Sequence, residues 1–263
     1  MTDIGLVWIR EDFRIENNAA LSYATQNHKN VIAFFIYNNN DYDNKREAQK
    51  WWLSRSLENF KKDLSNYQIN LQIVSGDEVD IFSKIKKKDN VSIYWNKIYE
   101  PDVISKGKKI RDIFIKNKIN YKYFKGNILN EFQEVTKNDK TPFKVFTPFW
   151  RTAEKIYLSL PPSKNYIIKK KSLIKSFFKN CITPNDILPK KTWHKKFEKY
   201  WKVSENDSKK ILKDLIENKI KDYGTSRDIP SIEGTSKLSP YIKFGQIHVG
   251  TIWNKCNEIK SKG

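Results

Sequence analysis

Five short apolar runs mark the first half of the chain: Ile4–Ile9, Val31–Tyr37, Ile69–Val74, Val91–Trp95 and Ile119–Phe124. Each is continuous rather than alternating, the pattern of a strand buried on both faces. Segments with helical spacing separate them. Asn17 and Asn18 can cap a helix through Ala20, Leu21 and Ala24, since a short side-chain oxygen accepts from the free amides of a first turn. Leu53, Leu57, Phe60 and Leu64 place an apolar stripe on a longer helix. Pro101 suits the first turn of a helix carrying Val103, Ile110 and Phe114. Strands alternating with helices predict an α/β fold, a doubly wound five-stranded parallel sheet with right-handed crossovers, over residues 1–130.

Past residue 125 this rhythm breaks. Prolines at 142, 148, 161, 162, 184 and 189 and the run Lys169-Lys170-Lys171 fill residues 131–192, where only Phe149–Leu158 has helical spacing. This stretch reads as an interdomain linker. Residues 193–263 return to helical patterning. Glu205–Tyr223 carries Ile211, Leu215 and Ile216 behind a Ser204/Asp207 capping box, and another helix is expected to start near Ser236.

The chain has 263 residues and a formal charge of +20, with 8 Trp, 13 Tyr and 15 Phe. So many rings exclude a disordered polyelectrolyte. The charge is uneven: residues 1–100 balance, whereas residues 151–200 carry 13 basic and 3 acidic groups. A basic second half points to a polyanionic partner, or to Lys-rich solvated faces, and lysine identifies a phosphate clamp less specifically than arginine. Cys181 and Cys256 form no CxxC pattern, and His28, His194 and His248 have no metal-ligand spacing. A reducing, cytoplasmic compartment and no metal are expected. No apolar run approaches the length of a membrane span.

Neither GxGxxG nor GxxxxGK[ST] is present. The cluster Arg10-Glu11-Asp12-Phe13-Arg14 follows the first strand, where open α/β sheets place ligands, although an ion-pair network bracing a loop is the favoured reading of these charges taken alone. The denser candidate is Tyr223-Gly-Thr-Ser-Arg227-Asp-Ile-Pro-Ser-Ile-Glu-Gly234-Thr235-Ser236-Lys237-Leu238-Ser239-Pro240-Tyr241. Gly234 permits close backbone approach, and Thr235 and Ser236 supply hydroxyls at an expected helix start. Helix-start amides beside Lys237 suit a pyrophosphate, and Arg227 suits a phosphodiester. A plain N-cap is the simpler reading of Gly-Thr-Ser taken alone.

The order of motifs resembles the photolyase/cryptochrome family. Leu6-Val-Trp-Ile-Arg10-Glu-Asp-Phe-Arg14-Ile-Glu-Asn-Asn-Ala-Ala-Leu21 resembles the opening LVWFRxDLRxxDNxAL. Trp51-Trp52-Leu53-Ser-Arg-Ser56-Leu57, Trp95-Asn96 with Tyr99-Glu100-Pro101, and Phe143-Lys-Val-Phe146-Thr-Pro-Phe149-Trp150-Arg151 follow in register. Arg227-Asp228-Ile-Pro230 and Gly234-Thr235-Ser236-Lys237-Leu238-Ser239-Pro240-Tyr241 are similar to the start of its flavin domain.

The resemblance implies a Rossmann-like α/β domain followed by the beginning of an all-α FAD-binding domain, truncated at Gly263. It places FAD on Tyr223, Thr235, Ser236, Lys237, Leu238 and Ser239, and DNA beside a lesion on Arg227. The α/β domain in the family often holds an antenna chromophore. Folate-binding relatives carry Asn-Glu after the Tyr-Glu block, where this chain has Asp102 and Val103. The function implied is light-driven repair of cyclobutane pyrimidine dimers in DNA by a monomeric carbon–carbon lyase, and the alternative is a cryptochrome-type blue-light sensor. No residue is assigned to electron transfer.

Overall fold

The computed structural model describes residues 3–41, 46–158, 166–174 and 176–260. The five apolar runs form β1 (Ile4–Ile9), β2 (Asn30–Tyr37), β3 (Asn70–Ser75), β4 (Val91–Asn96) and β5 (Asn120–Phe124). Between them lie α1 (Ala19–Asn27), α2 (Glu47–Ser65), α3 (Glu78–Lys84) and α4 (Pro101–Lys116). The strands pair in parallel in the order β5-β4-β1-β2-β3. The chain therefore starts mid-sheet, winds out to β3 and returns past β1 to β4, which makes the gap between β1 and β4 the topological switch point.

Both faces of β1 to β4 are covered, which is why those strands are largely apolar. At the sheet edge β5 leaves Asn120, Lys122 and Tyr123 exposed, so the burial on both faces expected of its run is not met. Val7, Ile9, Ala33 and Phe35 pack with Leu21, Leu53, Leu57 and Phe60 of α1 and α2. Leu6, Trp8, Ile32 and Phe34 pack with Phe82, Ile110 and Phe114 of α3 and α4. Successive residues of each strand thus feed opposite layers. Asn18 caps α1 as expected, its side chain accepting from the Leu21 amide at 3.1 Å.

The stretch 131–192 holds more structure than its prolines indicate. Helix α5 (Phe146–Leu158) begins three residues earlier than expected, and β6 (Cys181–Ile182) adds an antiparallel sixth strand beside β3. A two-residue strand is too short for any periodicity to reveal, and its signal lies in the free edge of β3. Gln72 of β3, only 6% exposed, accepts from the amides of Phe177 and Phe178 at 2.8 and 3.2 Å. Ser54 of α2 donates to the Pro184 carbonyl at 2.7 Å.

The remainder comprises α6 (Phe197–Tyr200), α7 (Glu205–Asp214), α8 (Tyr223–Ser226), α9 (Ser239–Lys243) and α10 (Val249–Lys260). Ser204 caps α7, accepting from the Asp207 amide at 3.0 Å. Val203, Leu212, Leu215, Leu238, Tyr241 and Phe244 enter the same core as β1 and α2. Trp52 is the hinge of this packing: its ring meets Trp201 at 5.4 Å and Tyr241 at 5.0 Å, and its indole N–H donates to Gln246 at 3.0 Å. A smaller cluster of Val135, Ala153 and Tyr157 with Trp150 and Trp253 joins α5 to α10.

Candidate functional site

A cleft of about 530 Å3 opens beyond the carboxyl ends of β1 and β4, at the switch point. Trp8, Ile98, Val103 and Ile110 give it apolar walls, and Arg10, Glu11, Glu78, Glu100, Lys106 and Lys243 charge its rim. The Arg10 guanidinium lies 4.6 Å from the centre of the Trp8 ring and donates to the Asn96 carbonyl at 2.7 Å. Burial pulls Arg10 down to about 10, against the raising charges of Asp12 and Glu11. Its Nε is buried with no partner among the described residues. Burial raises Glu11, and the Lys243 ammonium at 2.6 Å offsets part of that shift. Burial alone would lower Lys243, but its bonds to Glu100 at 2.8 Å and to Glu11 outweigh it and hold the ammonium above the ordinary lysine value.

The rest of the charged cluster after β1 braces the cleft and does not line it. Asp12 accepts from the Arg10 amide at 2.8 Å and from Asn96 Nδ2 at 2.6 Å. Asn96 also donates to Asn18 Oδ1 at 2.9 Å and accepts from the Ala20 amide at 3.1 Å. Arg14 donates to the carbonyls of Gly245 and Asn17 at 2.9 and 3.0 Å. Glu205, 7% exposed, accepts from the amides of Ile15 and Glu16. These buried bonds tie α1, β4, α7 and α9 to one loop. Asp12 and Arg14 therefore brace the loop, but through hydrogen bonds to amides and carbonyls rather than through ion pairs. Arg10 and Glu11 face the cleft, where Glu11 pairs with Lys243.

The second candidate place is the loop that ends at α9. Gly234 is buried, and a Cβ there would stand 2.1 Å from the Ser226 carbonyl oxygen. Only glycine lets this loop cross the end of α8, and the crossing sets Gly234 against Ser226, the last residue of the helix that begins at Tyr223 and is followed by Arg227. Tyr223 is half-buried against the core. Arg227 is exposed, with Asp228 at 3.5 Å as its carboxylate partner. Thr235 and Ser239 are exposed, Ser236 is half-buried, and Lys237 reaches back to Glu233. Leu238 is 3% exposed, its side chain turned into the core, and its carbonyl accepts from the Ile242 amide at 3.0 Å.

The helix expected near Ser236 starts at Ser239, and neither Thr235 nor Ser236 caps it. Lys237 has φ +54°, a left-handed conformation no helix admits, and Pro240 fixes the first turn after it. The Leu238 amide donates to Ser236 Oγ at 3.4 Å. The amides of Thr235, Ser236 and Lys237 donate to no protein group among the described residues. Left-handed Lys237 followed by right-handed Leu238 turns successive N–H groups to one side, a concavity that suits an anion.

Glu78, Lys106 and Lys243 of the cleft escaped sequence reasoning, since they lie on α3, α4 and α9 and share no motif. Among the described residues no group of three or more His, Cys, Asp or Glu could hold a metal ion, and no helix is long and apolar enough to cross a membrane.

The deoxyribodipyrimidine photo-lyase of Agrobacterium fabrum is 28% identical over 95% of this chain, and cryptochrome-1 of Arabidopsis thaliana 25% over 95%. The chain spans 52% of the former and 37% of the latter, about half of one relative's length and little more than a third of the other's. A bacterial class III photolyase from Agrobacterium tumefaciens superposes with a TM-score of 0.87 and 26% identity, over 99% of this chain and 54% of that one. The fold is shared with a photolyase from Sulfolobus tokodaii solved with two FAD molecules, at a TM-score of 0.71, 22% identity, and coverage of 95% and 54%. The DNA photolyase family pattern itself matches residues 5–166, more than half of the sequence, and the chain belongs to that family.

Proposed function

We propose that this chain supplies the α/β domain and the first flavin-binding elements of a light-driven lyase that reverses cyclobutane pyrimidine dimers in DNA. The observation that carries the reading is the juxtaposition across Gly234. An anion-seeking turn with free amides and two exposed hydroxyls follows directly on Gly234, which packs on the end of α8, the helix that begins at Tyr223 and precedes Arg227. Thr235, Ser236, Lys237 and Ser239, with the Leu238 backbone, would hold the pyrophosphate of FAD, and Tyr223 would pack beside it. Bound flavin supplies the photochemical electron that opens the cyclobutane ring. Arg227, exposed and weakly paired, would clamp the DNA backbone while the damaged bases leave the stack.

The switch-point cleft suits a second, light-harvesting chromophore. Its volume lies in the range of small-molecule sites, and Trp8 and Arg10 offer a ring face and a buried donor. Asp102 and Val103 both line it, so the positions that read Asn-Glu in folate-binding relatives face the same space with different chemistry. The rival reading, a blue-light sensor, is favoured by the similarity to Arabidopsis cryptochrome-1.

The test uses the longest reading frame that encloses this chain. Absorption between about 350 and 500 nm reports flavin, and blue-light repair of dimer-bearing oligonucleotides reports the lyase. A flavin-loaded protein that leaves dimers intact under illumination overturns repair in favour of the sensor.

A further inference from the structure

The greatest excess of positive charge lies in residues 151–200, and much of it gathers in a segment that neither candidate place uses. Residues 190–202 contain six lysines and one acid, Glu198, which is paired to Arg55. The inner side of this segment is fixed. His194 is buried, and Phe197 and Trp201 pack on α2, meeting Trp51 at 5.2 Å and Trp52 at 5.4 Å. Asn59 adds a bond to the Val203 carbonyl at 2.6 Å. The lysines are consequently held outward on a rigid face, where Lys190, Lys191, Lys195, Lys196 and Lys199 are exposed.

These lysines differ from those on the neighbouring helix. Lys209, Lys210 and Lys213 of α7 each stand within 4.0 Å of a carboxylate. The five lysines of residues 190–199 have no carboxylate partner among the described residues. Like charges a helical turn apart repel, and the nearby acids Glu198 and Glu47 are bonded to Arg55 and to the Trp193 indole rather than to these lysines. Aromatic rings interleave with the charge: Tyr200 is 73% exposed and Trp193 37%.

We propose that residues 190–202 form a binding surface for single-stranded DNA, separate from Arg227. Lysine ammonium groups neutralise phosphates without reading sequence, and an exposed ring accepts the face of any unstacked base. A duplex keeps its bases stacked and leaves Tyr200 nothing to receive. Thr192 is the one aliphatic hydroxyl in the segment, so the face has little with which to grip a 2′-hydroxyl. The proposal is independent of flavin and of repair.

Anisotropy of a labelled, undamaged thymidine oligonucleotide, titrated in the dark between about 50 and 200 mM salt, tests it. Changing Lys190, Lys191, Lys195 and Lys196 together to Gln is expected to make the log–log salt slope shallower by about 3 units. Tyr200→Ala is expected to weaken binding about fivefold or more and leave the slope unchanged. All five positions are exposed, so both variants should melt as the parent does, and Arg227→Ala should retain the four-lysine part of the slope. An unchanged slope in the four-lysine variant overturns the proposal. So does tighter binding of a duplex, an RNA of equal length, or phosphatidylserine vesicles.

Discussion

The switch-point cleft and the Gly234–Ser239 loop, two candidate ligand places among the described residues, are built in opposite ways. The cleft draws its walls from β1, β2, α2, α3, α4 and α9, and its floor is braced by a buried network of neutral and charged groups. The loop is one contiguous stretch, mostly exposed, and its ligand-seeking groups are backbone amides and small hydroxyls. A distributed site inherits its shape from the whole fold, so damage to it is paid in stability. A contiguous site can lose function with the fold intact. The two are joined through α9, since Ser239 opens that helix beside the loop and Lys243 ends it in the cleft.

The hardest way to break the comparison is at the joint itself. Gly245 follows α9 with φ +63°, and a Cβ there would stand 1.9 Å from the Glu11 carbonyl oxygen. Gly245→Ala is therefore expected to cost about 3 kcal/mol or more, because backbone must move on both sides of the contact. Urea unfolding measures it. A loss below about 1 kcal/mol would mean that α9 is not clamped to the switch point.

Within the cleft's foundation, Asn96→Ala removes donors to Asp12 and Asn18 and the acceptor for the Ala20 amide. The expected loss is about 2–3 kcal/mol, since it strips a buried carboxylate of a donor. The same substitution should leave loop chemistry untouched, which separates the two places.

A pH titration comes next. Burial, reinforced by the charge of Arg14, holds His248 down to about 4 in the fold, while the unfolded chain titrates near the ordinary histidine value. Between those values the unfolded chain binds more protons, so stability is full at neutral pH and falls as pH drops. From pH 7.5 to pH 5 the histidine should account for about 2 kcal/mol of that fall. In His248→Gln the fall should be smaller by that amount, and identical pH profiles would refute the assignment. A smaller effect attends Lys243→Ala. It breaks the bonds to Glu11 and Glu100, but the ammonium is 44% exposed and screened, so about 1 kcal/mol at most is expected from thermal melts.

How much of this was legible follows from the same contrast. The five parallel strands and the Asn18 and Ser204 caps could be read because each signal is local: an apolar run, or a capping side chain at a fixed offset. The loop was legible as a candidate because its residues are contiguous, but its helix start was misplaced, since nothing in Thr-Ser-Lys-Leu announces a left-handed lysine. The cleft was visible through Arg10 and Glu11, and through the family blocks that carry Trp8, Glu100, Asp102 and Val103. Glu78, Lys106 and Lys243 lie far apart in sequence, and only the sheet order brings them to one rim. Strand β6 was missed for the same reason, as a two-residue strand is defined by its partner's free edge.

The finest test changes the loop alone. Thr235 and Ser239 are exposed and their hydroxyls donate to no described protein group, so removing both should alter stability by less than about 0.5 kcal/mol. If those hydroxyls serve a pyrophosphate, each contributes a charge-assisted bond, and Thr235→Val with Ser239→Ala should weaken FAD capture about tenfold or more in a fluorescence titration. Unchanged melting with lost capture fits a contiguous site whose function is separable from the fold. A drop in stability comparable to that of Asn96→Ala would instead make the loop a structural element like the cleft floor, and the difference between the two places would disappear.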